Sequence, residues 1–220
     1  MSSDAQRQDS EQTHLGTAML IVVVFACGFA LMALEMLGAR LLSPDFGSSI
    51  YVWGSVISIF LLALSVGYWV GGWASVWRAD GRVLAVPILL AAGGFALIPL
   101  IVKHVNGCVF DLDIEDRWGA LLSATILFLL PSLLLGMVSP YSVRLATREV
   151  GRAGASAGLL YSISTLGSFL GCILTSFYFV LWLNVSTILW CMSAVLVAAA
   201  VVSYLLPRAS KREKGVRIKH

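Results

Sequence analysis

Apolar side chains fill six long runs of this chain, and short polar segments separate the runs. Within each run the apolar positions are nearly continuous, without the strict alternation that marks the strands of a membrane barrel. A stretch of about 20 apolar residues is long enough to cross a hydrocarbon layer as a helix. The pattern therefore predicts six transmembrane helices, over residues 15–42, 51–76, 83–103, 118–143, 157–181 and 185–206.

The composition agrees with this pattern. Of the 220 residues, 59% are hydrophobic and only 12% are charged, which is typical of a multi-pass membrane protein rather than a soluble domain. In lipid, backbone polar groups must be satisfied inside helices or a closed barrel. We therefore predict an all-α membrane protein, with an N-terminal tail over residues 1–14, a six-helix domain over 15–206 and a basic tail over 207–220.

The basic residues predict an orientation. If the N-terminus is cytoplasmic, twelve of the 15 lysines and arginines face the cytoplasm, and Arg40, Lys103 and Arg117 face outward. Cytoplasmic loops of membrane proteins usually carry this excess of positive charge. We expect both termini to be cytoplasmic, in a plasma membrane such as the bacterial inner membrane. The basic tail then lies beside anionic lipid headgroups or acts as a linker.

Small residues repeat at four-residue spacing in two of the predicted spans. The second span contains Gly67, Gly71 and Ser75, and the fifth contains Gly167 and Gly171. Small residues at this spacing let membrane helices approach closely. Their use in both the second and the fifth span indicates two related three-helix units, as in the inverted repeats of transporters. Half a transporter needs a partner half, so we also predict a homodimer.

Three tryptophans of the second span, Trp69, Trp73 and Trp77, repeat at the same spacing but two residues out of phase with the glycines. Two residues correspond to about 200° of helix rotation, so the tryptophans lie on the opposite side. We interpret this side as facing lipid. The alternative is an aromatic stripe that binds a cation.

The sequence contains no pattern that indicates a metal-binding or redox site. The four cysteines, Cys27, Cys108, Cys172 and Cys191, form no CxxC pair. No metal site and no cofactor are therefore predicted. The expected partners are the lipid bilayer and a second copy of the chain, and nothing indicates nucleic acid.

A carboxylate inside the first span is the main candidate for function. Glu35 precedes the end of that span by about two turns, and an ionised carboxylate in the membrane is costly unless it is paired or hydrated. It is either a structural group bonded to another helix or a ligand, cation or proton site. In the second case we expect a polar pocket that opens outward and contains Glu35, Arg40, Tyr51, Tyr68, Tyr161 and Thr165.

A longer pattern carries a family resemblance. The segments "GARLLSPDFGSSIYVWGSVISIFLLALSVGYWVGGWAS", "LLLGMVSP" and "GLLYSISTLGSFLGCILTSFYFV" resemble the membrane domain of spermidine-synthase-like proteins. That domain is related to half of a major facilitator transporter. The residues that match its first motif are Glu35, Arg40, Phe46, Gly47, Ser49, Tyr51 and Trp53. Where many such proteins have Asn-Thr in the fifth span, this chain has Ser164 and Thr165.

The resemblance implies two functions. In such proteins the membrane domain is often followed by a soluble aminopropyltransferase-like domain, but these 220 residues contain no glycine-rich nucleotide fingerprint. We therefore expect no enzymatic activity from this chain alone. It is expected either to bind or transport a small solute, such as a polyamine-like cation, or to anchor a separate soluble transferase at the cytoplasmic face as the membrane subunit of such an enzyme.

Overall fold

A computed structural model describes residues 3–77, 80–147 and 153–206, with side chains from residue 15 onward except residue 153. Every regular element in this part of the chain is helical. The elements are α1 (Ser3–Phe46), α2 (Ile50–Trp77), α3 (Gly81–Phe110), α4 (Asp116–Gly136), α5 (Val138–Ala146), α6 (Ala153–Leu174), a π-helical turn (Thr175–Phe179), α7 (Val180–Trp182) and α8 (Val185–Tyr204). The predicted all-α class is confirmed.

Six stretches of these helices are long and apolar enough to cross a membrane. They are Leu15–Phe46, Ile50–Trp77, Gly81–Phe110, Asp116–Ala146, Gly154–Trp182 and Val185–Tyr204. Each contains most of one predicted span, so the number of spans is confirmed and the protein is a multi-pass membrane protein. The third span extends seven residues beyond its predicted end, which leaves only residues 111–115 between α3 and α4. Residues 3–14 continue α1 as helix, and the basic tail at 207–220 lies outside the described residues.

The fourth span is interrupted at Met137, between α4 and α5. Pro140 has no backbone N–H, so it cannot donate the helical hydrogen bond that the carbonyl of Gly136 would accept. The span predicted over 118–143 is confirmed as Asp116–Ala146, with this one break in its helix. The fifth span also changes, because one π-helical turn begins at Thr175 before the helix ends at Trp182.

The helices pack in a pattern that two equivalent three-helix units would produce. The most extensive pairings are α1 with α6, α2 with α4, and α3 with α8, followed by α3 with α4 and α1 with α8. If the first, second and third spans are exchanged with the fourth, fifth and sixth, respectively, the same set of pairings results. Because each unit has an odd number of spans, the two units enter the membrane from opposite sides.

Glycines sit at the closest helix contacts. A methyl group added at Gly67 or Gly71 would collide with backbone atoms of α4 and Met137, and one added at Gly167 or Gly171 would collide with the backbone of Phe25 or Phe29 in α1. Ser75, the third member of the first repeat, is buried. Both small-residue faces therefore lie inside the single chain, where lipid-embedded helices gain stability from close backbone contact.

Aromatic side chains cover parts of the outside. Trp69, Trp73 and Trp77 are all exposed, and the rings of the last two lie 5.5 Å apart. They face away from the bundle, as predicted for a lipid-facing side. Near the predicted outer ends of the spans, Tyr51 and Trp118 are also exposed, where amphipathic rings favour the membrane interface.

Candidate functional site

A cavity of about 260 Å³ lies between four spans in the middle of the membrane domain. Helix α1 forms its back, α2 and α6 form its sides, and the junction of α4 with α5 closes one end. Its lining residues are Cys27, Gly28, Leu31, Met32, Leu64, Tyr68, Leu135, Gly136, Ser139, Tyr161, Ser164, Thr165 and Ser168.

Small residues bring α1 and α6 together at the back of this cavity. At Gly28, an added methyl group would meet the backbone oxygen of Ser164 at 2.5 Å, so α1 and α6 approach closely here. The hydroxyl of Ser168 donates a hydrogen bond to the carbonyl of Gly28 at 3.2 Å. This contact fixes the back wall, and the larger side chains of α2 and α6 then extend around it.

The hydroxyl groups of the cavity differ in how much they can still donate. Thr165 donates to the carbonyl of Tyr161 in its own helix at 2.8 Å, so its oxygen is left mainly as an acceptor. The hydroxyls of Tyr68, Tyr161, Ser139 and Ser164 form no hydrogen bond within the described part of the chain. Each of these four groups can donate to a ligand. The cavity therefore offers donors for a ligand with oxygen acceptors.

No charged side chain lines this cavity among the described residues. Its remaining surface is aliphatic or thioether, from residues such as Leu31, Met32 and Leu64. A mostly apolar wall with a few hydroxyl donors is suited to an uncharged ligand, because a buried ion needs an opposite charge or a dense hydrogen-bond shell.

The residues predicted to form one pocket lie in different places in the structure. Tyr68, Tyr161 and Thr165 line the cavity together, whereas Glu35 and Arg40 do not. Arg40 lies twelve residues beyond Gly28 on α1, about 18 Å farther along the helix axis, and its side chain is exposed. Residues close to Glu35 in sequence therefore lie at different depths of the bundle, and the structure brings only Tyr68, Tyr161 and Thr165 of the predicted set together in this cavity.

Tyr51 belongs to a different depression near the predicted outer surface. It is lined by Phe46, Ser49, Tyr51, Glu115, Asp116 and Arg117. Gly47 connects α1 to α2 with a φ of 76°, a left-handed conformation that glycine adopts without steric cost. Trp53 of the same motif is exposed on α2. These motif residues thus shape the turn and the interface at one end of the bundle.

Glu35 lies one helical turn from the cavity along α1, because the lining residues Leu31 and Met32 precede it by four and three residues. It is half-buried and forms no hydrogen bond or ion pair with the described residues. Seven residues separate Glu35 from Gly28. Seven residues also separate Thr175, the first residue of the π-helical turn, from Ser168 on the parallel helix α6. This register places Thr175 at the level of Glu35, and the buried Thr175 hydroxyl has no partner in the described structure. Glu35 and Thr175 therefore lie at a similar depth along the two helices.

Two hydroxyl-bearing lining residues, Ser139 and Ser168, were not singled out from the sequence. Ser139 precedes Pro140 at the helix break, and Gly136 and Pro140 were visible as a signal for that break. Nothing in the local sequence marks Ser168, because its role depends on the pairing of α1 with α6.

Comparison with known proteins finds partial similarity to membrane transporters. One protein named a triacylglyceride transporter, from Mycolicibacterium hassiacum, is 37% identical over 82 residues, which cover 36% of this chain and 15% of the relative. Another of that name, from Mycolicibacterium smegmatis, is 26% identical over 165 residues, which cover 70% of this chain and 26% of the relative. The chain thus spans about a quarter or less of the length of these relatives.

No family model matches the chain, and no solved structure matches it. The resemblance to spermidine-synthase-like membrane domains therefore gains no support from these comparisons. The fold defines a multi-pass helical membrane protein, and the described lining of its cavity is uncharged. Its sequence is similar, over part of its length, to proteins named as transporters.

Proposed function

We propose that this chain is a membrane transport module whose cavity binds an uncharged lipid with ester oxygens. The observation that carries the proposal is the cavity between α1, α2 and α6, which has free hydroxyl donors and no charged lining residue among those described. Ester carbonyls are acceptors only, so they match donors such as Tyr68 and Tyr161.

The names of the similar proteins support the same substrate class. A triacylglyceride is uncharged and carries ester oxygens between long apolar chains. Leu31, Met32, Leu64 and Leu135 supply apolar contact beside the hydroxyls. The volume of about 260 Å³ is below the range of about 300–1,000 Å³ that is usual for small-molecule pockets. The cavity therefore holds the ester region of such a lipid, with the acyl chains outside.

A cationic solute is the second candidate, and Glu35 is the observation that favours it. A half-buried carboxylate without a protein partner can bind an amine, such as a polyamine-like cation, or a proton. This site would lie one helical turn from the cavity-lining residues Leu31 and Met32 on α1. The further alternative, a scaffold for a soluble aminopropyltransferase-like enzyme at the cytoplasmic face, rests on the family resemblance alone.

The proposed assembly is a homodimer in a plasma membrane such as the bacterial inner membrane, with both termini cytoplasmic. Gly67, Gly71, Gly167 and Gly171 are used inside one chain. The homodimer therefore needs a different face from the one that the glycine spacing suggested.

Transport in reconstituted vesicles tests the proposed function. Purified protein is placed in vesicles that contain a fluorescent triacylglyceride, and its transfer to acceptor vesicles is measured beside uptake of radiolabelled spermidine. We expect lipid transfer and no spermidine uptake. Tyr68→Phe and Tyr161→Phe each remove one donor, so each should slow transfer by about two- to tenfold, as expected for about 0.5–1.5 kcal/mol per hydrogen bond.

Tyr178→Phe is the matched control, because Tyr178 is an exposed residue of the same span outside the cavity. Its transfer rate should equal that of the unmodified protein. Spermidine uptake without lipid transfer would replace this proposal by the cationic one.

A further inference from the structure

The hydroxyl donors of the cavity cannot by themselves select an uncharged lipid. Helices α2 and α6 form the two sides of the cavity but do not pack along each other, so a gap leaves this face of the bundle open. Tyr68 and Tyr161 line the cavity beside this gap and are 47% and 48% exposed. A phospholipid of the surrounding membrane carries the same ester carbonyls as a triacylglyceride. Selection between the two therefore needs a group that disfavours the phosphate.

Glu35 lies on the same stripe of α1 as the wall of the cavity. The lining residues Gly28, Leu31 and Met32 precede it by seven, four and three residues. Seven residues of an α-helix make about 700° of rotation, so Glu35 lies within about 20° of Gly28 around the axis. Three or four residues advance the helix by about 5 Å. The carboxylate is therefore placed just beyond the end of the cavity at which Leu31 and Met32 lie.

The charge of Glu35 is not balanced by the part of the chain that the structure describes. Its carboxylate is half-buried and forms no hydrogen bond or ion pair there. Arg40, the next basic residue along α1, is exposed and lies about 140° around the helix axis from Glu35. Among the described residues, no group of three or more His, Cys, Asp or Glu side chains could hold a metal ion. The carboxylate thus gives the adjoining end of the cavity a negative potential.

We propose that Glu35 is a specificity-determining residue that excludes lipids with an anionic headgroup from the cavity by charge repulsion. The inference rests on the proposed function, in which the cavity binds the ester region of an uncharged lipid. In a phospholipid, the phosphate lies only a few bonds from the ester carbonyls. With an ester in the cavity and the headgroup toward Met32, the phosphate would approach the Glu35 carboxylate. No described lining residue supplies a positive charge that would offset this repulsion.

The repulsion acts on the wrong lipid alone. A triacylglyceride has a third ester and acyl chain in place of the phosphate, so it meets Leu31 and Met32 by apolar contact and is unaffected by a nearby charge. Discrimination by a repulsive group is a common way to achieve specificity when the attractive contacts are shared. With an effective dielectric constant of about 20, two unit charges about 10 Å apart disfavour binding by about tenfold or more.

Competing transfer of two labelled lipids tests this role. Donor vesicles with the purified protein contain a fluorescent triacylglyceride and a fluorescent phosphatidylglycerol with different labels, and the transfer of each to acceptor vesicles is measured. We expect the unmodified protein to transfer the triacylglyceride preferentially. Glu35→Gln should raise phosphatidylglycerol transfer by about tenfold, whereas Glu35→Asp keeps the charge and should keep the exclusion. Glu115→Gln removes an exposed carboxylate of the loop before α4 and should leave both rates unchanged.

Glu35→Lys gives a second measurement, because it reverses the charge instead of removing it. Phosphatidylglycerol transfer should rise from Glu35 to Gln to Lys, an order that a purely structural role does not produce. Melting curves show whether each variant is folded. The unmodified protein gives a third measurement that needs no variant: mass spectrometry of the lipids that remain bound after purification should show phosphatidylglycerol depleted relative to neutral lipid, compared with the source membrane.

The outcomes separate this role from the proposed function. A folded Glu35→Gln protein that transfers triacylglyceride and still excludes phosphatidylglycerol would overturn the role and leave the function standing. Equal transfer of both lipids by the unmodified protein would do the same. Phosphatidylglycerol transfer that appears only when the charge at position 35 is removed, without triacylglyceride transfer by any folded protein, would remove the function and keep the role.

Discussion

At the residue scale, the polar groups inside the bundle separate into those with a structural bond and those without one. Ser203 donates to the carbonyl of Gly81 at 2.9 Å and Ser193 to that of Ala92 at 2.8 Å, and both bonds join α8 to α3. Glu35, Tyr68 and Tyr161 have no bond to the described residues. Unpaired polar groups in a membrane are costly. Glu35, Tyr68 and Tyr161 are therefore the best candidates for a functional role.

The substitution Glu35→Gln tests whether the Glu35 carboxylate has a functional or a structural role. No described hydrogen bond or ion pair depends on its charge, so we expect the melting temperature to stay within about 2 °C or to rise. On the cationic alternative, in which Glu35 binds the solute, transport of that solute should fall about tenfold or more, as the loss of about 1.4 kcal/mol of charge-dependent interaction predicts. On the proposed lipid function, lipid transfer should stay unchanged, because Glu35 does not line the cavity. Melting curves and vesicle transport measure the two effects.

Glu115→Gln is the control for this substitution, because Glu115 is exposed in the loop before α4. It should alter neither quantity. Normal transport of the cationic solute by Glu35→Gln would show that the carboxylate does not bind it. A large loss of thermal stability would instead assign it to structure.

Asn106 gives a prediction about stability alone. Its side chain is 1% exposed, and its amide nitrogen donates to the carboxylate of Asp45 at 2.8 Å and to the carbonyl of Leu41 at 3.2 Å. Asn106→Asp replaces this donor by a second carboxylate, so two acceptors and two like charges meet. We expect the free energy of unfolding to fall by about 1–3 kcal/mol or more.

Thermal melting in detergent measures this loss. Asn184→Asp provides the comparison, because Asn184 is an exposed N-cap of α8 whose side chain forms no capping bond, and Asp is an equally good cap residue. Equal melting temperatures for the two variants would show that the link between α1 and α3 contributes little.

At the element scale, the sequence predicted what depends on local pattern. Runs of apolar residues gave six spans with ends correct to within several residues, because the bilayer requires a minimum helix length. The break at Met137 could have been predicted from Gly136 and Pro140. The π-helical turn at Thr175 has no such local signal.

The cavity was harder to predict from the sequence than the helices. Tyr68, Tyr161 and Thr165 were chosen as isolated polar residues in apolar spans, and the structure brings them together. Their proximity depends on which helices pair. That pairing is set by contacts between distant residues, such as Gly167 against Phe25, which no short window of sequence shows.

The pairing of α2 with α4 is testable at one position. A methyl group at Gly71 would lie 2.5 Å from the carbonyl oxygen of Met137 and 2.6 Å from its Cα. Gly71→Ala should therefore lower the free energy of unfolding by about 1–3 kcal/mol, the usual cost of overpacking. Melting temperature and the yield of folded protein are the measurements.

Gly93→Ala is the matched control, since nothing lies within 4 Å of the added methyl group on α3. Alanine favours a helix over glycine by about 1 kcal/mol, so this variant should be as stable as the unmodified protein or more stable. A tolerated Gly71→Ala would mean that α2 and α4 are farther apart than described.

At the scale of the whole molecule, two three-helix units, one cavity and one open face are parts of the same arrangement. The pairings of α1 with α6 and of α2 with α4 are equivalent under exchange of the two units. They leave α6 and α2 as the two sides of the cavity, separated by the gap. The fold thus explains both why the site forms and why a single chain leaves it open.

The orientation of this arrangement is the last prediction. Twelve of the 15 basic residues face the cytoplasm if the N-terminus does, and the translocation machinery retains positively charged segments on that side. Reporter fusions after residues 108 and 215 follow three and six spans, respectively. Alkaline phosphatase, which is active only outside, should be active at 108, and green fluorescent protein should fluoresce at 215. Phosphatase activity at 215 together with fluorescence at 108 would invert the molecule and place the acidic segment 111–116 in the cytoplasm. Activity of the same reporter at both positions would instead require an even number of spans between residues 108 and 215. The three spans Asp116–Ala146, Gly154–Trp182 and Val185–Tyr204 do not allow this.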